Sequence, residues 1–383
     1  RGGKETWIAE GSIGLAGERR IDLRVDSIGA RMEDIAAVVA PDQPITGNVD
    51  NTIRVTGTLD NPSAVGYIHL YRGSYNGYIL SGMDGDYYLE NGAVRLQDFH
   101  IFSPLVDVDL NGTVTQEGAL DLYADVHDVS LDRFGSKLPY PVSGHGTFAG
   151  HIAGTLQDPK FVGVLDAKTL QLNGQTIDSV HGELIYDKNV LRIENTSFKQ
   201  NGGVYAMKCT TNLDSQTLDG ILQVENGDVH ALFAIGNLKN DVLEGRLSGT
   251  IRLAGTLENP QAHLDAVVNE GKAAGYAIRD MALDVKLSNH VVTIEELRGR
   301  QGEGVFAAKG RIPLNGEAMD AQFAANGIAA GMVAKAAGAS ADVRGTIDLA
   351  VQFGGTLENP KANASIEVKN GGVGASTFDD MTG

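Results

Sequence analysis

Four near-copies of one hexapeptide recur along the chain, about a hundred residues apart. They begin at Gly57, Gly154, Gly255 and Gly355, and each reads Gly-Thr-Leu, then Asp, Gln or Glu, then Asn or Asp, then Pro. A spacing this regular predicts an array of one structural unit, in which each repeat buries its apolar surface against its neighbours.

The hexapeptides set the expected boundaries of the repeats. We predict a partial repeat at 1–56, complete repeats at 57–153, 154–254 and 255–354, and the start of a further repeat at 355–383. The chain begins with Arg1 and ends inside a repeat, so we interpret it as a segment of a longer protein.

Alternation of apolar and polar residues predicts strands nearly everywhere else. In the segment 105–110, for example, Val106 and Val108 alternate with Asp107 and Asp109. Successive side chains on a strand point to opposite faces, so one face of the sheet is apolar and the other is charged. Nine Asn-Gly pairs predict tight hairpin turns; their asparagines are at 76, 91, 111, 173, 201, 226, 315, 326 and 370.

The expected fold is all-β: an elongated, repetitive antiparallel sheet of roughly 22–28 strands, curled into a trough. Short helices are expected between repeats, at 28–39, 129–138, 229–238 and 328–337. The apolar rows of the strands would line the trough, while Asp107, Asp121, Arg252 and Asp348 would point outward. The predicted lining residues are Val106, Val108, Leu110, Leu120, Leu122, Val126, Ile251, Leu253, Ile347, Leu349, Val351 and Phe353.

Composition excludes several classes of protein. A net charge of −18 argues against nucleic-acid binding, which needs clustered Lys and Arg. Cys209 is the single cysteine, so the chain forms no internal disulfide. No run of eighteen apolar residues predicts a transmembrane helix, and no signal peptide is visible.

Motifs for catalysis or metal binding are weak. The segment 107–112 resembles the opening of a calcium-binding loop, but its twelfth position is Gly118 instead of Glu. The glycines at 144–150 miss the dinucleotide fingerprint by one residue and lie in a predicted strand. The nine histidines show no zinc-ligand spacing, and no serine lies in a nucleophile elbow. We therefore expect no enzyme activity, no metal and no cofactor.

The repeat pattern resembles that of the TamB family, within the AsmA-like superfamily of diderm bacterial envelope proteins. The resemblance rests on the recurring Gly-Thr-Leu-x-Asn/Asp-Pro element, on the Gly-Thr-Ile-x-Leu lead-in at 249–253 and 345–349, and on the spacing of about a hundred residues. It covers essentially the whole chain.

The resemblance implies a function and a location. Such proteins are similar in forming a long β-groove in the periplasm that carries phospholipid between the inner and outer membranes. It implies that phospholipid acyl chains are the ligand, that an N-terminal anchor absent from this sequence holds the parent protein in the inner membrane, and that a BamA-like barrel of the outer membrane is a partner. Burying an acyl chain is worth ~0.8 kcal/mol per methylene, so a conduit needs a continuous apolar lining.

Three other functions are alternatives to lipid conduction. A scaffold for outer-membrane protein assembly would template client strands at exposed sheet edges, and it is compatible with lipid conduction. A surface adhesin built as a β-helix is disfavoured, because β-helix coils repeat at roughly twenty-residue periods. An enzyme is disfavoured by the lack of a catalytic motif. Co-purified lipid distinguishes conduction from scaffolding.

Overall fold

The structure is a computed structural model that describes residues 5–39, 44–104, 106–133, 141–155, 157–235, 242–256 and 258–383. Strands dominate the described chain. In order, they are β1 (Thr6–Ile13), β2 (Arg20–Arg31), β3 (Ile45–Thr58), β4 (Pro62–Tyr75), β5 (Tyr78–Leu80), β6 (Gly82–Glu90), β7 (Ala93–Phe102), β8 (Val106–Thr115), β9 (Ala119–Ser130), β10 (Val142–Thr155), β11 (Pro159–Leu172) and β12 (Gln175–Asp187).

The second half of the strand series continues in the same way. It comprises β13 (Val190–Gln200), β14 (Gly203–Asn212), β15 (Thr217–Asp228), β16 (Leu243–Thr256), β17 (Pro260–Ala273), β18 (Tyr276–Ser288), β19 (Val291–Gln301), β20 (Gly304–Pro313), β21 (Asp320–Ala329), β22 (Val343–Gly355), β23 (Pro360–Val373) and β24 (Ser376–Thr382). The described helices are short: α1 (Met32–Val39), α2 (Val229–Ile235), α3 (Ala330–Ala336) and a 3-10 turn at Leu131–Arg133.

All 24 strands belong to one sheet, and each described pairing is antiparallel. In the pairings whose register is described, from β1 to β10 and from β13 to β24, strands that follow each other in the sequence lie side by side, except that β4 pairs with both β5 and β6. Among the described pairings, β1 pairs only with β2 and β24 only with β23. The predicted all-β class, with short helices between the repeats, is confirmed. Residues 134–138 and 236–238 of the expected helices lie outside the described chain.

The sheet divides into two compact units. Unit 1 comprises Arg1–Lys168 and Glu183–Lys188, and unit 2 comprises Thr169–Gly182 and Asn189–Gly383. In each unit one face of the sheet, called here the inner face, is buried. Buried residues of this face include Val49, Leu70, Leu122 and Phe148 in unit 1, and Tyr205, Leu247, Val268, Ile328 and Leu349 in unit 2.

The hexapeptide forms a hairpin turn that joins two long strands. Gly355 pairs with Pro360, and Gly57 and Gly255 pair with their own prolines in the same way. At Gly355 φ is +73°, and a Cβ there would lie 2.5 Å from the Asn359 carbonyl oxygen, so the position requires glycine. The Thr356 amide donates to that oxygen, and the Thr356 Oγ1 accepts from the Asn359 amide at 3.1 Å. Leu156 and Leu257 of the second and third copies lie outside the described residues.

Most long strands bend at a β-bulge. The register shifts between Ser27 and Ala30 in β2, and equivalent shifts occur in β15, β18 and β21. In β2 and β21 an amide at the bulge is capped by an aspartate of the neighbouring strand: Gly29 N donates to Asp50 Oδ1 at 2.7 Å, and Gly327 N donates to Asp348 Oδ1 at 2.7 Å. Bulges increase the local twist and bend the strand, which helps a sheet to curl.

These bulges correct part of the turn prediction. Asn226-Gly227, Asn326-Gly327 and Asn370-Gly371 lie inside strands β15, β21 and β23, and Asn111-Gly112 lies inside β8. The hairpin interpretation is therefore wrong at these four pairs. Asn226 and Asn370 adopt positive φ within their strands, as they would in a type I′ turn. The predicted preference for positive φ at these two asparagines is correct, but it produces a bulge within the strand and not a reversal of the chain.

The inner face of unit 2 is curved. Strands β18 and β22 are four positions apart, which in a flat sheet is about 19 Å. Both nevertheless meet α3: a Cβ on Gly331 would lie 2.2 Å from the Tyr276 hydroxyl of β18 and 2.6 Å from the Val343 carbonyl oxygen of β22. Lys335 also stands over the Tyr276 ring at 5.4 Å. A single layer can bury one face only by curling or by being covered, and unit 2 does both.

Candidate functional site

The candidate site is the apolar inner face, which forms a groove in each unit. In unit 1, six predicted lining residues lie on neighbouring strands, where Val108 pairs with Val126 and Leu110 pairs with Ala124. Leu122 is buried, with 8 % of its surface exposed. The other five are half-buried: Val106, Val108, Leu110, Leu120 and Val126.

Unit 2 holds the other six predicted lining residues, on β16 and β22. Ile347 and Leu349 are buried members of the unit 2 apolar cluster, and Val351 packs against that cluster. Ile251 and Phe353 are half-buried. Leu253 is the most open of the six, with 37 % of its surface exposed.

In the four strands that lead from a helix or 3-10 turn into a hexapeptide, β3, β10, β16 and β22, burial falls towards the hexapeptide end. On β16, Leu247 is 3 % exposed, Ile251 is half-buried and Leu253 is 37 % exposed. The leucine at the tip of a described hexapeptide turn is more open still: Leu59 is 43 % and Leu357 is 50 % exposed. The groove is therefore deepest beside the helices and opens towards the hexapeptide turns.

The short helices close the deep side of the groove. Ala36 of α1, Ala231 of α2 and Met332 of α3 are buried, and Phe233 packs against the unit 2 cluster. The α2 helix is also tied to an earlier hairpin, because Asn173 Nδ2 donates to its Ala234 carbonyl at 2.8 Å. The expected apolar faces of the helices are thus buried or half-buried; the side chains of Val38 and Val39 lie outside the described set.

Aromatic rings lie flat on the groove wall, each over a glycine of a neighbouring strand. Phe306 of β20 pairs with Gly299 of β19, and a Cβ on Gly299 would lie 2.5 Å from the Phe306 Cζ. The same arrangement places Phe148 over Gly163 and Phe378 over Gly371. A ring that lies flat covers wall area and protrudes little into the groove. The sequence alone does not reveal this contact, because it joins residues on different strands.

A polar cluster interrupts the apolar wall of unit 1. Asn51 is 7 % exposed and Ser27 is 2 % exposed, and the two residues are cross-strand partners. The Tyr87 ring lies over Gly66, so that its hydroxyl donates to Asn51 Oδ1 at 2.8 Å. Burial raises the pKa of the Tyr87 hydroxyl, so it remains a donor at neutral pH. The signal for this cluster in the sequence is that polar residues occupy inward positions in strands whose other inward residues are apolar.

The outer face carries hydrogen-bonded pairs of histidine and aspartate. Asp109 accepts from two imidazoles, His100 Nδ1 at 2.7 Å and His127 Nε2 at 2.8 Å. These contacts lower the pKa of Asp109, with His127 the larger cause, and the hydrogen bond to Asp109 raises the pKa of His127. The aspartates of the calcium-like segment 107–112 thus lie on strand β8 and pair with histidines.

The unique cysteine lies on the groove wall. Cys209 is on the same side of β14 as Tyr205, and it is half-buried. Burial raises the pKa of its thiol, with a smaller contribution from Asp219, so little thiolate is present at neutral pH. The thiol is a poor nucleophile there and serves better as a reporter of the groove environment.

Within the described residues, no three or more His, Cys, Asp and Glu side chains are arranged to hold a metal ion. None of the described helices combines the length and apolar character needed to span a bilayer. Comparison of the chain with models of known protein families, with curated proteins and with solved structures finds no match.

Proposed function

We propose that this chain is a segment of a TamB-like bridge in the periplasm of a diderm bacterium, and that its groove carries phospholipid between the inner and outer membranes. The observation that carries the proposal is the apolar inner face, which extends across neighbouring strands in each unit and is interrupted in unit 1 by the polar cluster of Ser27, Asn51 and Tyr87. In unit 2 one apolar cluster extends from Tyr205 on β14 to Val368 on β23. Acyl chains need such continuity, because each methylene left in water costs ~0.8 kcal/mol.

The opening of the groove supports the same proposal. Burial decreases towards the hexapeptide turns, so acyl chains would enter from that side and their polar headgroups would stay near solvent. The charged outer face keeps the sheet soluble around an apolar interior. The family resemblance adds an inner-membrane anchor of the parent protein and a BamA-like barrel partner to the proposal.

Cys209 provides the test. The purified chain would be labelled at Cys209 with a polarity-sensitive fluorophore and titrated with two-chain phospholipid. We expect a blue shift of emission that saturates as acyl chains fill the groove. The matched control carries Cys209→Ser and Thr210→Cys, which moves the label by one residue to the opposite face of β14. Equal responses of the two labels would contradict the proposal.

Lipid extraction separates the two envelope functions. Under lipid conduction, the chain purified from a diderm host should contain phospholipid, detected by native mass spectrometry. Under the alternative, a scaffold for outer-membrane protein assembly with a BamA-like partner, it should be lipid-free and bind unfolded barrel proteins. A lipid-free chain whose Cys209 label does not respond to added lipid would decide against conduction.

A further inference from the structure

The polar cluster in the groove of unit 1 has no counterpart at the same positions of the other repeats. Asn51 lies six residues before the hexapeptide glycine, and the equivalent residues are Phe148, Gly249 and Leu349. Its cross-strand partner is Ser27, where the other repeats carry Val126, Val224 and Ala325. The fold is therefore built three times without polar groups at this point, so folding does not require them.

The cluster leaves one hydrogen-bond donor, Asn51 Nδ2, without an acceptor among the described residues. The Tyr87 hydroxyl occupies Asn51 Oδ1. Asn51 as a whole residue is only 7 % exposed. A donor with so little access to water and no protein acceptor favours a ligand that supplies an acceptor there.

The surroundings define the chemistry of that acceptor. By strand register, the inner-face neighbours of Asn51 and Ser27 are apolar: Val25, Val49, Ile53 and Ile68. A phosphate or carboxylate would be buried there without a counter-charge, which is strongly unfavourable. A neutral carbonyl oxygen flanked by acyl chain would match both the amide donor and the apolar walls.

We propose that Asn51, oriented by Tyr87, binds the ester carbonyl of an acyl-ester lipid within the groove of unit 1. This inference rests on the proposed lipid-conducting function and assigns a specific contact to it. The site would favour ester-linked lipids over ether-linked lipids, which differ by the loss of the carbonyl oxygen. It would also bind a lipid at a defined depth, because the other repeats offer only apolar wall at this position.

The test is a competition between matched lipids. The purified chain would be incubated with an equimolar mixture of diester and diether phosphatidylglycerol of equal chain length, and the bound ratio read by native mass spectrometry. A parallel arm with diacylglycerol, which keeps the esters and lacks the phosphate, separates recognition of the ester from recognition of the headgroup. We expect wild type to prefer the ester lipid by about three- to tenfold, the range of one neutral hydrogen bond.

Two variants remove the donor or its orientation. Asn51→Leu, the residue found at the equivalent position of the last repeat, should bring the ester-to-ether ratio to about one while ether-lipid binding is kept. Tyr87→Phe keeps the ring over Gly66 and should reduce the ester-to-ether ratio. It provides the test of the ester contact if Asn51→Leu does not fold. Asn48→Leu, on the outer face of the same strand, is the matched control and should retain the wild-type ratio.

Several results would overturn the inference. A wild-type ratio near one would do so, as would an unchanged ratio in both folded variants. If the preference for ester-linked lipid is lost in the diacylglycerol arm, the phosphate headgroup is recognised and the ester carbonyl is not. If neither lipid binds in wild type, the proposed function itself fails, and the ester contact fails with it.

Discussion

The contact between Phe306 and Gly299 allows a sharp test of how the groove wall is built. Gly299→Ala places a methyl group 2.5 Å from the Phe306 Cζ, whereas carbon atoms in contact are normally about 3.5–4.0 Å apart. The ring must therefore move by about 1 Å. Phe306 is only 6 % exposed, so it can move only against other members of the unit 2 cluster.

The expected magnitude follows from two opposing terms. Overpacking a buried site by one methyl group costs about 1–3 kcal/mol. Replacing Gly by Ala stiffens the unfolded chain, which favours folding by about 0.4–1 kcal/mol where the backbone is compatible. Gly299 does not have positive φ, so its backbone accepts alanine. Gly299→Ala should lower the free energy of unfolding by a net of about 1–2 kcal/mol.

A matched control and a double-mutant cycle make the test specific. Gly354, also in unit 2, has only the Met319 carbonyl oxygen at 3.9 Å from a built Cβ, so Gly354→Ala should be neutral or stabilising. Phe306→Leu removes the ring, and in that background the penalty of Gly299→Ala should largely disappear. Urea unfolding, followed by far-ultraviolet circular dichroism, measures wild type, the three single variants and the double variant. Equal effects of Gly299→Ala and Gly354→Ala, or an unchanged penalty with Phe306→Leu, would refute the ring-on-glycine account.

Three further predictions concern the groove, the outer face and the turns. Val351→Glu should keep the β-strand signal in circular dichroism and reduce phospholipid binding, because a carboxylate facing hydrocarbon is unfavourable. Ala350→Glu, on the outer face, should leave phospholipid binding unchanged, and equal binding by both variants contradicts the groove assignment. Because the pKa of His127 is raised, its stabilising contribution is fully present below its unfolded pKa near 6.5 and is lost as pH rises through its folded pKa. Asp109→Asn should flatten that loss in thermal melts between about pH 5 and 9, and an unchanged pH profile would count against the His127–Asp109 pair. Thr356→Val removes the acceptor of a turn amide and should lower stability by about 0.5–1.5 kcal/mol in urea unfolding, with no effect expected if water replaces the hydroxyl.

Asp348, on the outer face, is not a suitable site for a control substitution, because its carboxylate has a structural role. The pKa of Asp348 is lowered first by the Gly327 amide and then by Lys369, so its carboxylate supports the bulge of β21. Its contribution is present above the unfolded pKa and is lost as pH falls through the lowered folded value. Asp348→Glu would therefore displace a bulge cap, and Ala350 is the better outer control.

Much of the fold could be predicted from the sequence because its determinants are local. Alternation along a strand requires only that successive side chains point to opposite faces, so the sequence could place Leu122 and Leu349, both of which are buried, in rows on one face. The hexapeptide combines a positive-φ glycine, a threonine side-chain acceptor and a proline at the start of the next strand, all within six residues. Repetition of such local signals established the array and the series of antiparallel strands.

Tertiary structure decided the features that depend on pairing between strands. Asn226-Gly227 has the same local preference for positive φ as Asn76-Gly77, yet one is a bulge and the other a turn, because the neighbouring strand continues past the first and ends at the second. The Phe306 ring over Gly299 depends on the register of β19 with β20.

The polar cluster of unit 1 shows the same division. The sequence places Asn51 at an inward position, but it does not place the Tyr87 hydroxyl next to it. That contact exists because Gly66 lies between them on β4 and has no side chain to hold the ring away. Local chemistry therefore fixed which residues form strands and which face they share, whereas strand register decided which side chains meet in the groove.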